Sequence, residues 1–421
     1  MNILLMSWFF PPTIGGIPSL LDTLLKTWQG NEMNFYVLTK EYASGYQNCV
    51  KIESLAYITL RSLTQTYEPI PYKTWDELNR VIDLQIELLS EEISNYAIDV
   101  IFAHTDLIIA DRLSKLTGIP CLFVQHGLMP HRTSLQKTGN KVVEHYDWIK
   151  EATVHVVADM SFVSGYNRDQ WYEMGMRPKK DRIIYNPVNF DMLTYNSEKR
   201  QMFREKYEIP EEAIVLLYAQ RTSKLWFNEG IEVVLEALRK NPSVYLIICD
   251  NYPIKPVDAD IKPRILSHKF AYKEMAAVYS ASDLTLLIAH DTFGLPIIES
   301  LACGTPVLCN DSCSFNELLC LEQWEGTVER AYFYITLEDL DKQLQSFINR
   351  EMRIHPQDLL SIKEKKLFSS HRIARQYYDI LYDKCFARSR NSAHGNQGGP
   401  NCENQCNYAG LQQRKPGQGI D

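Results

Sequence analysis

Leu284-Thr285-Leu286-Leu287-Ile288 runs into Ala289-His290-Asp291-Thr292-Phe293-Gly294. Leu295-Pro296-Ile297-Ile298-Glu299-Ser300-Leu301-Ala302-Cys303 follows, and past Gly304-Thr305 comes Pro306-Val307-Leu308-Cys309. The first run is short, apolar and unbroken, the pattern of a strand covered on both faces. Pro296 suits the first turn of a helix, and the last run is again a strand. Strand, glycine-bearing loop, helix and strand form the βαβ unit of a parallel sheet. In such sheets ligands bind where the carboxyl ends of strands feed loops. The N–H groups of Phe293, Gly294 and Leu295 point off a helix start and offer an anion site, and Gly294 lets the chain approach a ligand closely. Asp291 and Glu299 bracket the loop, so both carboxylates can face one ligand carrying several hydroxyls. As isolated residues they fit equally a loop acid and a solvated helix glutamate.

The same alternation extends in both directions. Toward the N-terminus, strands are expected at Asn2–Phe9, Asn34–Thr39, Tyr57–Leu60, Asp99–Ala103, Pro120–Gln125, Val154–Val157 and Arg182–Tyr185. Helices are expected at Ile17–Gln29, Trp75–Asn95 and Leu107–Leu116. After a polar stretch near Asn186 the pattern restarts. Strands are expected at Ala213–Ala219 and Val244–Cys249, with helices at Gly230–Leu238 and Lys273–Ser280. Two α/β halves result. The expected division is residues 1–187, 188–368, a helix in 369–387, and a polar tail over 388–421 that cannot bury enough to offset its ordering entropy.

The length of 421 residues suits two domains, and 45% hydrophobic with 23% charged residues supplies two cores. A net charge of −8 argues against a nucleic-acid partner. No run reaches the length of a membrane span, and the N-terminal run lacks the basic leader of a signal peptide. The ten cysteines show no paired zinc spacing and read as structural thiols of a reducing cytosol. Asp258-Ala259-Asp260 has the spelling of a metal-binding acid pair but lies in a polar loop without a supporting strand. The cluster Arg177, Lys179, Lys180 and Arg182 is read as a solvated turn, with contact to the inner face of a membrane left open.

Asp291 to Glu299, continued by Ala302-Cys303-Gly304-Thr305-Pro306-Val307, resembles the Glu-x7-Glu signature of the retaining glycosyltransferases of family 4, with Asp291 in place of the first Glu. Phe10-Pro11-Pro12 through Gly15-Gly16 is similar to that family's first loop. Tyr185-Asn186-Pro187-Val188-Asn189 is similar to its interdomain segment, and Phe368-Ser369 through Tyr382 to its terminal helix. The resemblance covers roughly residues 1–385. It implies a GT-B fold, two Rossmann-like parallel-sheet domains facing across a cleft. It also implies transfer of a hexose-type sugar, with retention, from a nucleoside-diphosphate sugar to a hydroxyl of a glycan, lipid-linked or small-molecule acceptor, as in polysaccharide biosynthesis. No cofactor or metal is implied.

Residue by residue, the resemblance places Asp291 on hydroxyls of the transferred sugar and Glu299 on the nucleotide ribose. Thr292, Phe293, Gly294, Leu295 and Thr305 fall near the donor phosphates, and Gly15 and Gly16 on the diphosphate or the acceptor. Arg221 and Lys224 are taken as the cations that meet leaving-group charge. An ungapped match instead puts Glu229 where the family has Lys. His126, at a strand end, resembles a histidine near sugar and acceptor, and His104 is a weaker candidate of the same kind. Ser164-Gly165-Tyr166 reads as a cleft-facing turn or a helix cap. Base recognition is expected from backbone near Phe270–Lys273 and acceptor contacts from Leu128–Asn140. Two rivals stand beside this reading: an enzyme resembling UDP-N-acetylglucosamine 2-epimerase, and a non-catalytic sugar-nucleotide-binding protein.

Overall fold

The computed structural model describes residues 1–13, 15–39, 45–52, 75–127, 150–151, 153, 155–156, 158–220, 227–250, 259–289, 291–311, 314–319, 329–349 and 359–395. Among them, seven strands form the first sheet: β1 Asn2–Met6, β2 Asn34–Leu38, β3 Cys49–Ile52, β4 Val100–Ala103, β5 Cys121–Gln125, β6 Asp159–Phe162 and β7 Asp181–Ile183. Six form the second: β8 Ile214–Tyr218, β9 Val244–Ile248, β10 Ile265–Ser267, β11 Leu284–Leu287, β12 Val307–Asn310 and β13 Ala331–Tyr334. All pairings are parallel, in the orders β3-β2-β1-β4-β5-β6-β7 and β10-β9-β8-β11-β12-β13. Each sheet runs outward in one direction, returns, and runs outward in the other. Its order therefore reverses once, between β1 and β4 and between β8 and β11, the places where parallel sheets open a crevice.

The helices, in chain order, are α1 Gly16–Thr27, α2 Trp75–Ile93, α3 Leu107–Thr117, α4 Gly165–Glu173, α5 Ser197–Lys206, α6 Phe227–Lys240, α7 Met275–Ala281, α8 Leu295–Ala302, α9 Phe315–Leu319, α10 Leu337–Ile348, α11 Ile362–Phe368 and α12 Ser370–Gly395. Central strands such as β4 and β5 are buried throughout, because helices cover both faces. The second unit already includes α5. Asn196 caps it, and Arg200 and Arg204 each hold Asp283 at 2.9 Å.

The chain crosses between the units twice. Val188 N–H donates to the Phe368 carbonyl at 2.8 Å, and Val188 and Ser369 form a parallel bridge. Past that bridge, α12 lies against the first unit. Trp28 Nε1 donates to the Ala374 carbonyl at 3.0 Å, Tyr377 packs on Phe102, and Lys384 reaches Asp159 at 2.6 Å.

Three expectations need correction. The strand expected at Val154–Val157 falls partly outside the described residues, and its described residues His155 and Val156 are not in a strand; the strand beside β5 is Asp159–Phe162, whose register pairs Leu122 with Asp159. Helix α12 runs to Gly395, past Ala387, since a helix satisfies its own backbone whatever its side chains bury. The sequence reading also has no counterpart for β3, β10 and β13. The strand expected at Tyr57–Leu60 and the tail from 396 fall outside the described residues. No helix among the described residues is long and apolar enough to cross a membrane.

Candidate active site

Leu284–Leu287 ends at the reversal point of the second sheet, and the chain leaving it builds the site. Gln220, buried two residues past β8, fastens this exit. Its amide donates to the Ala289 carbonyl at 2.9 Å and approaches Asp291 Oδ2 at 3.4 Å, while the Ala289 N–H donates to its oxygen at 3.1 Å. Asp291 then folds onto its own loop, accepting from Thr292 N–H at 2.8 Å. Gly294 follows with φ of 87°, and a Cβ there would lie 2.7 Å from the Phe315 ring, so only glycine fits without displacement. α8 starts here with no side-chain cap. Among the described residues no protein acceptor meets the N–H groups of Gly294 and Leu295, whereas Phe293 N–H has Asp291 Oδ1 at 3.5 Å.

Glu299 is the fifth residue of α8, at the start of its second turn, and is only 7% exposed. Tyr279, the one aromatic residue of α7, donates to its Oε2 at 2.9 Å, and Tyr272 also hydrogen-bonds it. Burial pushes the Glu299 carboxyl up to about 7, against the opposing pull of the two phenol donors. Both phenols are themselves raised, first by burial and then by the Glu299 charge. The result is a carboxyl group able to carry or release a proton near neutrality, held for hydrogen bonding to hydroxyls.

The first unit meets this loop directly. Thr292 Oγ1 donates to the His126 carbonyl at 2.6 Å, and Ser164 Oγ donates to the Thr292 carbonyl at 2.6 Å. Glu317 of α9 caps α4 across the boundary, accepting from Gly165 N–H at 2.8 Å and Tyr166 N–H at 2.9 Å. A carboxylate at a helix start gains from both the free N–H groups and the helix dipole. Tyr185 adds its hydroxyl to Glu317 at 3.1 Å; burial first, then that carboxylate, pushes this phenol up to about 12. Phe293 is sealed between Tyr185 and Phe368, so it contributes backbone alone to any ligand. At the first reversal point, His104 and His126 face each other at 2.9 Å, and α1 begins at Gly15 and Gly16 with no side-chain cap and no acid in its first turn.

Residues 199–359 match the family model described as glycosyl transferases group 1. Loop, α8, Glu299 and Glu317 all lie within this group 1 segment. Curated relatives include an O-antigen biosynthesis glycosyltransferase, WclY, of Escherichia coli. It is 27% identical over 166 residues, covering 38% of this chain and 45% of that protein. A D-inositol 3-phosphate glycosyltransferase of Xylanimonas cellulosilytica is 27% identical over 147 residues, covering 30% and 34%. The matched stretch thus spans less than half of these relatives' length. Among solved structures, sucrose-phosphate synthase from Thermosynechococcus elongatus superposes with a TM-score of 0.69 at 16% identity, covering 92% of this chain and 99% of that one. HepE of Anabaena in complex with UDP and glucose superposes with a TM-score of 0.63 at 16% identity, covering 91% and 100%. The fold is GT-B.

The group 1 segment brings Asp291, Thr292, Gly294, Leu295 and Glu299 together, with His126 across the boundary. Thr305 stands apart. Its hydroxyl donates to the Tyr279 carbonyl at 2.8 Å and the residue is 1% exposed, so the hydroxyl braces the end of α7 rather than facing outward from the loop. Thr292 likewise gives its hydroxyl to the first unit. Arg221 and Lys224, the acceptor loop Leu128–Asn140, and Asp258 lie outside the described residues; Asp260 and Glu229 are exposed. Ser164 serves as both helix cap and interdomain donor. The sequence reading gave no part to the side chains of Gln220, Tyr279 and Glu317, and read Tyr272 only through the backbone of Phe270–Lys273. Glu317 looks like any glutamate of a short helix, because its partners lie about 150 positions away in the chain.

Proposed function

We propose that the chain transfers a hexose-type sugar from a nucleoside-diphosphate sugar to an acceptor hydroxyl, with retention and without a metal. The observation that carries this reading is Glu299: a buried carboxyl held by Tyr272 and Tyr279, on a helix whose uncapped start faces the sheet's reversal point. In this reading Glu299 accepts hydrogen bonds from the ribose, Asp291 from the sugar, and the N–H groups of Gly294 and Leu295 approach the diphosphate. HepE, which shares the fold, is described in complex with UDP and glucose, which supports UDP-glucose as the first donor to try.

The bond from the anomeric carbon to the diphosphate oxygen breaks, and one to the acceptor oxygen forms on the same face. The acceptor's proton passes to the leaving phosphate. Arg221 and Lys224 are proposed to meet the developing charge. Closing the two units around the donor limits hydrolysis. The acceptor's identity belongs to the first unit.

Incubation of the chain with UDP-glucose and related donors, with and without EDTA, tests this. Slow UDP release with the anomeric configuration kept in the product, unaffected by EDTA, is the expected result. Isomerised sugar points to the epimerase reading, and saturable binding without turnover to a binding protein.

A further inference from the structure

His104 follows β4 and His126 follows β5, so neighbouring parallel strands bring the two rings side by side. Their planes lie within 17° of each other, and His104 Nδ1 is 2.9 Å from His126 Nε2. One of these nitrogens carries the shared hydrogen and the other accepts it. The far nitrogen of His104, Nε2, is buried and among the described residues has no hydrogen-bond partner, with the Phe102 ring packed at 4.4 Å. Were the shared hydrogen on His126, the remaining hydrogen of His104 would sit on that sealed Nε2. A buried N–H without an acceptor is rarer and costlier than a bare lone pair. The hydrogen therefore belongs to His104 Nδ1, and His126 keeps its own on Nδ1.

We propose that His104 is the positioning residue of the site: by donating to His126 Nε2 it locks His126 as an Nδ1–H hydrogen-bond donor toward a ligand hydroxyl or oxyanion, and withholds it from acting as a base. The ligand part rests on the function proposed above; the tautomer does not. His126 is suited to this part because its backbone is held on both sides. Its carbonyl accepts from Thr292, and the adjoining Gly127 carbonyl accepts from Gln125, Asn167 and Trp171 at 2.8, 3.0 and 2.8 Å. The His126 side chain is only half-buried, and among the described residues nothing in the protein bonds its Nδ1. Desolvation lowers both imidazoles, His104 well below the ordinary range with the neighbouring His126 adding to it, which favours the neutral form of the pair.

The test is long-range nitrogen–proton NMR on the full chain with nitrogen-labelled histidine, assigned with His104→Phe, His104→Asn and His126→Asn. In the unmodified protein, His126 should show a protonated Nδ1 and a bare Nε2. His104→Phe keeps the ring and its packing but should move His126 toward the Nε2–H form. Asparagine, whose amide can occupy the place of Nδ1, should restore the original form. With UDP-glucose as donor, His104→Phe should lower kcat about tenfold with KM changed less than twofold, and His104→Asn should recover most of it. A protonated Nε2 on His126 in the unmodified protein, or an unchanged tautomer in His104→Phe, overturns the proposal. If the unmodified chain fails to turn over any nucleotide sugar, the functional reading falls while the spectra still decide the pair.

Discussion

At the reversal point between β1 and β4 the chain places two neutral imidazoles and the uncapped start of α1. At the equivalent point between β8 and β11 it places two carboxyl groups, Asp291 and Glu299, beside the uncapped start of α8. The winding is the same, so the difference comes from the side chains that the strand ends deliver. The first unit offers uncharged donors and acceptors. The second offers carboxyl groups that can accept from hydroxyls and N–H groups that can meet an anion. A shared topology thus supplies two locations, and the residues at each give it a separate task.

The largest effect should come from Gly294→Ala. A side chain at φ of 87°, pushed against Phe315, costs about 3 kcal/mol from backbone strain and overpacking together. Thermal unfolding should begin several degrees earlier, and Gly294→Ala with Phe315→Leu should recover the steric part alone. No loss of stability would mean that the second reversal point is less tightly built than its glycine implies.

Next comes Glu299→Ala, which should weaken UDP-glucose binding by roughly 30-fold in calorimetry, the loss of hydrogen bonds to a charged acceptor. The pH dependence has a definite sign. Its carboxyl is raised from 4.5 to about 7 in the folded chain, so donor affinity should fall as pH drops through about 7 and protonates it. Conversely, ionising this buried group costs the folded state stability as pH rises between those two values. Glu299→Gln should therefore gain stability over the unmodified protein across that window and lose the pH dependence of binding. A flat profile in both proteins would assign the carboxylate chemistry elsewhere.

Much of this was legible beforehand, for physical reasons. Continuous apolar runs such as Leu284–Leu287 announce themselves, and Gly294 and Glu299 flank a helix start whose chemistry follows from position. By contrast β6, Asp159-Met160-Ser161-Phe162, alternates polar and apolar residues and is less apolar than the sequence just before it, so hydropathy does not mark it. At the sheet edge, β3 buries only Ile52 fully and carries little signal. Thr305 sits where a motif suggests a ligand, yet its hydroxyl is used by a carbonyl that only folding brings near. Tyr279 and Glu317 owe their parts to partners distant in sequence, which no local pattern encodes.

The smaller predictions concern how the two reversal points are tied together. Glu317→Ala removes two charge-assisted bonds to the start of α4 and should cost about 1.5 kcal/mol. Small-angle scattering should register a larger radius of gyration if this carboxylate holds the units in their present arrangement. Thr292→Val deletes a single hydroxyl bond to the His126 carbonyl and should cost about 1 kcal/mol, read by denaturant titration. An effect of Thr292→Val exceeding that of Glu317→Ala would shift the main tie from α4 to the loop itself.

The paired crossings at Val188 and Ser369 have a consequence for how the lobes can travel. One connecting strand would act as a swivel, free to turn in any direction; two lying side by side and bonded to each other act as a door hinge. Two bonded crossings resist twisting more than one would, so the linkage favours rotation about an axis across both over free swivelling.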